Sequence, residues 1–107
     1  RLGRLNAEGR IAHLVSEIIE RLKFVGRFDG TNLPVPLLQR DYAEACGITS
    51  VHANRSFRNL RERGILDPQG DGRIVIQDEA ALNKLGEFDG DYLYGDGDLA
   101  LDTLDDR

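Results

Sequence analysis

The feature that most restricts the fold is a pair of short helical segments joined at Gly47. They cover about residues 38–46 and about residues 49–63, and Gly64 follows the second. A glycine adopts a positive φ at low cost, so Gly47 can end the first helix in a left-handed conformation and turn the chain. Small and apolar side chains recur at helical spacing along both segments: Tyr42, Ala43 and Cys46, then Ala53, Phe57 and Leu60. The sequence therefore predicts two short helices that cross at a glycine turn.

The spacing Ala-x3-Gly-x5-Ala, from Ala43 to Ala53, fits the usual offsets of a helix-turn-helix motif. Ala43 is small where the two helices would cross, and Ile48 is apolar where the turn would pack inward. Thr49 or Ser50 can cap the second helix with a side-chain oxygen. The chain thus carries the residue types that this motif needs at its crossing point, its turn and its cap.

The segments on either side complete a winged fold. Asn6 to about Phe28 is predicted to be one amphipathic helix, which the Asp-Gly pair and the prolines of "FDGTNLPVP" then end. Residues 65–77 have the pattern of a β-hairpin, and residues 78–88 that of a brief helix with acidic residues at its start. The order of these elements predicts a mostly α (α+β) winged helix-turn-helix, with a three-helix core, a β-hairpin wing and a short C-terminal helix.

The charges are divided unevenly along the chain of 107 residues. Residues 1–64 hold eleven Arg or Lys against seven Asp or Glu, whereas residues 65–107 hold three against twelve. The net charge of −5 therefore conceals a basic front of +4 and an acidic end of −9. A chain of this length favours one domain, and a basic front is typical of proteins that bind nucleic acid.

The C-terminal part is predicted to form a tail. We place the winged domain at residues 1–88 and an acidic, glycine-rich tail at residues 89–107. The composition of the tail predicts an ordered edge near Tyr92 and Tyr94 and fraying beyond them. Its acidic residues could screen the basic part of the domain or meet a partner protein.

Polar side chains and arginines occupy the outward face of the segment 49–63. Positions 50, 54, 58 and 61 form one stripe along a helix, and positions 51, 55, 58 and 62 form the next. An Arg can bind guanine through two hydrogen bonds, an Asn can do the same with adenine, and a small apolar group can touch the thymine methyl. We therefore expect Arg55 to read a base, and Arg58 and Arg61 mainly to contact phosphates.

Further phosphate contacts are expected from the first motif helix, the turn and the wing. The N-terminal N–H groups of the first motif helix favour an anion there. An arginine-rich helix face is in most proteins merely solvated, but one that directly follows a helix-turn-helix turn and precedes a wing favours DNA. The residues expected to make these contacts are Gln39, Arg40, Thr49 and Arg73.

With these residues in place, the chain resembles the C-terminal DNA-binding domain of the Crp/Fnr family of bacterial transcription regulators, over about residues 7–77. The stretch "GRIAHLVSEII" (9–19) is similar to the family's "GRIAxxLLxL" helix. The stretch "LPVPLLQRDYAEACGITSVHANRSFRNLRERGIL" (33–66) is similar to its helix-turn-helix pattern, and "GRIVI" (72–76) to its wing. The combination of the three is specific.

The resemblance implies base-reading roles for Ser50, Val51 and Arg55, with His52 and Asn54 nearby. Arg55 matches the family's recurrent arginine. Ser50 and Val51 depart from the Arg-Glu pair of the cyclic-AMP receptor branch, so the operator of that branch is not expected here. Two further positions also depart from the family pattern. Leu38 stands in place of the Thr that commonly caps the first motif helix, and Ser56 in place of an aliphatic residue.

The resemblance also implies a longer natural protein. Family members carry a cyclic-nucleotide-binding-like β-barrel and a dimerisation helix before this domain, and the absence of Met agrees with an excised domain. We expect sequence-specific binding of double-stranded DNA in the cytoplasm, by a homodimer in the full-length protein, with RNA polymerase as a further partner. No cofactor is expected in this chain, and a cyclic nucleotide or other effector would bind the missing sensor domain.

Other classes of function find less support in the sequence. His13 and His52 lie far apart in the chain, His13 is expected to be a partly buried residue, and one Cys with two His forms no zinc cluster. We therefore expect neither enzyme activity nor a metal site. No apolar run approaches the ~18 residues that span a bilayer, so no membrane partner is expected. One alternative stays open, a winged-helix module that docks proteins without DNA specificity, which would expose aliphatic or aromatic residues on segment 49–63.

Overall fold

The structure, a computed structural model, describes residues 5–35 and 37–88. Its helices and strands follow the predicted order and form a winged helix-turn-helix, which confirms the predicted fold class. No helix in this part of the chain is long and apolar enough to cross a membrane. The elements are α1 (Ala7–Phe24), β1 (Asn32–Leu33), α2 (Gln39–Cys46), α3 (Ser50–Glu62), β2 (Leu66–Pro68), β3 (Ile74–Ile76) and α4 (Glu79–Leu85).

Helix α1 begins where the sequence predicted and ends earlier than predicted. The Asn6 side chain caps it by accepting a hydrogen bond from the backbone N–H of Gly9 at 2.8 Å. The helix ends at Phe24 rather than near Phe28. Gly26 adopts a φ of 70°, a left-handed conformation that stops the helix, and apolar periodicity does not reveal this.

The wing is a hairpin of β2 and β3 to which a third strand is added. Strand β3 lies in the centre of an antiparallel sheet of order β1-β3-β2, with Leu66 opposite Ile76 and Leu33 opposite Ile74. The hairpin was predicted, whereas β1 was not. A strand of two residues beside Pro34 carries no periodic signal, and only its pairing with β3 makes it a strand.

The core lies where α1, α3 and the sheet meet. One stripe of apolar residues on α1, spaced three and four positions apart, is buried, and so is the inward face of α3. Tyr42 of α2 and Phe57 of α3 contact each other edge to face, with ring centroids 5.3 Å apart. Other fully buried side chains are Ile11, Val15, Ile19, Leu33, Leu60, Leu66 and Leu82. This packing holds the two motif helices on α1.

Helix α4 closes the domain against α1. Asp78 caps its N-terminus by accepting from the backbone N–H of Ala81 at 3.0 Å. The His13 ring nitrogen Nδ1 lies 2.8 Å from the carbonyl of Gly86, and its ring meets Phe88 edge to face. His13 is therefore partly buried, as predicted. The expected edge near Tyr92 and Tyr94 lies outside the described residues, and the boundary between residues 88 and 89 stays a prediction.

Candidate nucleic-acid interface

The turn between the two motif helices has the predicted conformation. Gly47 adopts φ 70° and ψ 34°, in the left-handed region. Its N–H donates to the carbonyl of Glu44 at 3.2 Å, and the N–H of Ile48 donates to the carbonyl of Ala43 at 3.0 Å. This pair of hydrogen bonds is the Schellman motif, which satisfies the last carbonyls of a helix. Gly47 thereby fixes the direction in which α3 leaves the turn.

Both motif helices are capped, although by different means. Thr49, and not Ser50, caps α3, because its hydroxyl oxygen accepts from the N–H of His52 at 3.1 Å. Leu38 precedes α2 and has no side-chain acceptor. The Asp41 carboxylate reaches back instead and accepts from the backbone N–H of Leu38 at 2.8 Å. One of the two hydrogen bonds of a capping box is thus present, although Leu38 stands where the family pattern has a Thr.

The predicted recognition face is brought together on one side of α3. The opposite side of the helix is buried in the core through Ala53, Phe57 and Leu60. The Val51 side chain is 71% exposed, so its methyl groups are accessible to a ligand. The exposed residues of the outward face are Ser50, Val51, His52, Asn54, Arg55, Arg58 and Arg61.

Ser56 is buried among these apolar residues, at the position where the family has an aliphatic side chain. Its hydroxyl donates to the carbonyl of His52, one turn earlier, at 2.9 Å. A buried hydroxyl costs free energy unless it is hydrogen-bonded, and this local bond removes most of that cost. Ser56 therefore leaves the packing of α3 intact without an external partner.

The four arginines between positions 55 and 63 differ in their surroundings. Within residues 5–35 and 37–88, Arg55, Arg58 and Arg61 are exposed and form no ion pair. Arg63 instead lies 3.1 Å from the carboxylate of Glu8 in α1. Arg63 follows the last residue of α3, and its ion pair with Glu8 sets it apart from the other three arginines. Three arginines remain available to a ligand.

Gln39 and Asn54 are brought together by the crossing of α2 and α3. The side-chain amide of Asn54 donates to the side-chain oxygen of Gln39 at 3.1 Å. This bond links the start of α2 to the first turns of α3, and it was not predicted. Arg40 beside Gln39 is exposed. The N-terminal end of α2 thus lies next to the recognition face.

Arg73 lies on the wing as predicted, but its charge is partly neutralised. Its Nε and Nη2 atoms lie 2.7 Å and 2.6 Å from the Asp71 carboxylate. The hydrogen bonds from Arg73 lower the pKa of Asp71, so the pair stays ionised at neutral pH. Any phosphate contact by Arg73 must compete with this carboxylate.

The same region offers little for catalysis. Burial raises the pKa of the Cys46 thiol, which disfavours the thiolate that a nucleophile needs. His52 is exposed on α3, while His13 is hydrogen-bonded to α4. Among the described residues, no three His, Cys, Asp or Glu side chains come close enough to hold a metal ion. The arrangement instead presents cations, amides and one apolar group on an exposed surface.

Comparisons of sequence and of structure with known proteins find relatives of the same kind. A model of the Crp-like helix-turn-helix domain matches residues 9–85. The nitrogen fixation regulation protein FixK of Azorhizobium caulinodans is 24% identical over 84 residues, which cover 78% of this chain and 34% of FixK. Reduced CprK without ligand is similar in structure, with a TM-score of 0.62 at 23% identity over 75% of this chain and 38% of that chain. Oxidized CprK in complex with o-chlorophenolacetic acid is also similar in structure. Its TM-score is 0.64 at 27% identity, over 81% of this chain and 36% of that chain.

The match to the family model runs from the first turn of α1 to the last residue of α4 and therefore includes the recognition face. The chain spans about a third of the length of FixK and somewhat more than a third of the CprK chains. The family consists of regulatory DNA-binding domains and is not a class of enzymes. The chain belongs to the family of Crp-like helix-turn-helix domains, the DNA-binding domains of bacterial Crp/Fnr-type transcription regulators.

Proposed function

We propose that this domain binds duplex DNA in a sequence-specific manner, with α3 in the major groove. The observation that carries the proposal is the outward face of α3, where exposed arginines stand beside amide, hydroxyl and aliphatic side chains and have no ion-pair partner among the described residues. A major groove about 12 Å wide admits an α-helix, and its base edges offer partners for these groups. The buried opposite face holds the helix against the core of the domain.

The base-reading roles fall on the first turns of α3, which lie deepest when the recognition helix enters the groove. Arg55 is the proposed guanine contact, because its guanidinium is exposed and unpaired within the described part of the chain. Val51 is the proposed thymine-methyl contact. Asn54 reads an adenine only if its amide leaves Gln39, so we place it, with Ser50 and His52, in supporting contacts to base edges.

The phosphate contacts surround this reading face. Arg58 and Arg61 follow on the next turns of α3, and the free N–H groups of α2 lie beside Gln39 and Arg40. Thr49 still has its hydroxyl proton for a phosphate, because its oxygen acts as the cap acceptor. The wing residue Arg73 would contact a phosphate further out. These contacts supply affinity but no sequence information.

The proposal extends to the oligomeric state, the partner protein, the compartment and the effector of a full-length regulator. Helix-turn-helix regulators bind as dimers to half-sites about 34–36 Å apart, and we propose a homodimer for the full-length protein. RNA polymerase is the further partner, and the cytoplasm is the compartment where such a regulator acts. A cyclic nucleotide or another effector would bind an N-terminal sensor domain, and no cofactor is assigned to this domain.

A salt series tests the proposal directly. Each neutralised phosphate contributes about −0.9 to the slope of log K against log salt concentration, so contacts from Arg40, Arg58 and Arg61 predict a slope of about −3. Selection from random DNA by a dimerised version of the domain should then yield one motif, which identifies the half-site. Affinity that does not fall with salt, together with no selected motif, would favour a protein-docking module instead.

A further inference from the structure

Glu8, in the first turn of α1, connects that helix to the far end of the recognition helix. One carboxylate oxygen accepts from the side-chain amide of Asn59 at 2.8 Å, and the other lies 3.1 Å from a guanidinium nitrogen of Arg63. The Glu8 side chain is only 20% exposed, and its two partners lie one helical turn apart. A single carboxylate therefore binds two side chains at the C-terminal end of α3.

Arg10, two residues further along α1, reaches the other motif helix. Its Nη1 donates to the backbone carbonyl of Cys46 at 3.2 Å, and its Nε donates to the carbonyl of Leu5 at 3.2 Å. Cys46 is the last residue of α2, immediately before the glycine turn, where a cation also interacts favourably with the helix dipole. One guanidinium thus joins the chain before α1 to the end of α2.

These contacts differ in kind from the apolar packing of α1 against the two motif helices. Its buried stripe, formed by Ile11, Val15 and Ile19, is apolar, and apolar contacts are not directional. Such contacts hold the helices together but tolerate small rotations and shifts along the helix axes. Hydrogen bonds tolerate such movements less well, because they weaken steeply when the angle between donor and acceptor changes. Directional control of the motif at this end of α1 therefore comes from its first turns.

We propose that Glu8 and Arg10 form an N-terminal clamp that positions the two motif helices, so that these residues help to determine which bases α3 reads without touching DNA. Glu8 sets the tilt of α3 at its C-terminal end, and Arg10 sets the position of the turn at its N-terminal end. The inference rests on the proposed function, because it gives the clamp a role in DNA specificity. Both are positioning residues, which act through α3.

The clamp should affect specificity more than stability. Arg63 is 53% exposed, and an exposed ion pair contributes little to the free energy of folding. Loss of the carboxylate would nevertheless free the last turn of α3 to tilt. DNA recognition depends on that angle, since bidentate contacts to base edges need fixed geometry. A role confined to folding would leave the specificity of the folded molecules unchanged.

The test compares Glu8→Ala with Glu44→Ala in the 107-residue chain. Glu44 is exposed on α2, outside the recognition face, and its side chain forms no hydrogen bond or ion pair among the described residues, so the control removes the same charge without breaking the clamp. Arg10→Ala is compared in the same way with Arg21→Ala, an exposed arginine of α1. The probes are a duplex selected by the wild type and a scrambled duplex of equal composition.

We expect Glu8→Ala and Arg10→Ala to reduce the ratio of the two affinities by about threefold to tenfold. Their unfolding temperatures should stay close to those of the controls. Glu8→Gln keeps an acceptor for Asn59 but loses the charge facing Arg63, and should give an intermediate ratio. In the free protein, amide hydrogen exchange of residues 60–64 should be faster in Glu8→Ala than in Glu44→Ala.

The outcomes separate the two proposals. A wild type that prefers its selected duplex, with unchanged ratios in both clamp variants, would overturn the clamp and leave the proposed function standing. A wild type that binds both duplexes equally would overturn the proposed function and the specificity role with it. Equal ratio losses in Glu8→Ala and Glu44→Ala would show that charge, and not the clamp, is responsible.

Discussion

At the residue scale, the same side chain has different roles depending on where it lies around a helix. Arg55, Arg58 and Arg61 are exposed, whereas Arg63 is held by Glu8. An acidic protein can therefore carry a local cationic surface, because Arg55, Arg58 and Arg61 have no ion-pair partner in the described part of the chain. The net charge of the chain says nothing about this surface.

Replacement of Arg55 by Ala tests base reading by a single residue. We expect a loss of about 1–3 kcal/mol on the preferred duplex and relaxed preference at one base pair. The measurement is binding to a set of duplexes in which each base pair is changed in turn. Arg61→Ala is the control, because a phosphate contact should lower the affinity for every duplex alike. Equal losses on all duplexes for Arg55→Ala would mean that it also contacts phosphate only.

Tyr42 allows a prediction about pH. Its side chain is 1% exposed, and its hydroxyl has no hydrogen-bond partner within the described residues. Burial, with a smaller contribution from Asp41, raises the pKa of Tyr42 from 10.0 to about 12. In the unfolded chain the phenol ionises at its ordinary pKa, so the unfolded state binds fewer protons than the folded state as the pH rises. The stability from this group is fully present below pH 10 and is lost as the pH rises towards 12.

The change amounts to at most about 3 kcal/mol, since one pKa unit corresponds to about 1.4 kcal/mol. Urea unfolding between about pH 8 and pH 12 measures it, and the difference between wild type and Tyr42→Phe isolates Tyr42 from other titrating groups. Tyr42→Phe should also equal or exceed the wild type at neutral pH, by up to about 2 kcal/mol, because it removes an unsatisfied buried hydroxyl. A destabilised Tyr42→Phe would indicate that the hydroxyl has a partner.

At the scale of whole elements, the fold depends on the close contact of α4 with α1. A β-carbon placed on Gly86 would lie 2.5 Å from the backbone nitrogen of His13 and 2.9 Å from the carbonyl carbon of Ala12. These are backbone atoms of a helix, so they cannot move aside as a flexible side chain could. The small residue is needed for the close approach of the two elements and not for an unusual φ.

Gly86→Ala should therefore push α4 away from α1 and lower the free energy of unfolding by about 1–3 kcal/mol, the usual range for overpacking. Gly70→Ala in the wing is the matched control, because a β-carbon there meets no atom within 4 Å among the described residues beyond its neighbours in the chain. Chemical unfolding of the two variants measures the difference. If Gly86→Ala proved as stable as Gly70→Ala, α4 would have to pack less closely than the structure describes.

The elements also show what a sequence can predict. The helices, the Gly47 turn and the hairpin depend on local patterns, and each was found in the predicted order. Strand β1 was missed because two residues have no periodicity. The bond from Asn59 to Glu8 was missed because it joins residues 51 positions apart, and no local spacing marks such a pair. The exposed face of α3 was predictable from helical geometry, whereas the long-range contacts that position α3 were not.

At the scale of the whole molecule, the two ends of the chain have opposite charge. Residues 89–107 carry seven aspartates and one arginine, so the chain of net charge −5 has a net charge of +1 over residues 1–88. Charges of one sign near a binding surface alter the rate at which an ion of either sign arrives. DNA is a polyanion, so the acidic residues should repel it while the α3 arginines attract it.

Replacement of the seven aspartates by serine should thus raise affinity for all duplexes. We expect a gain of about tenfold at 10 mM salt, where the Debye length is about 30 Å, and little gain at 1 M, where it is about 3 Å. Serine in place of Leu99, Leu101 and Leu104 is the control, because it changes the same segment and leaves its charge unaltered. The gain should be equal for selected and scrambled duplexes, since a long-range field does not read bases. A gain confined to the selected duplex, or one that persists at 1 M salt, would instead show that these residues act through a specific contact.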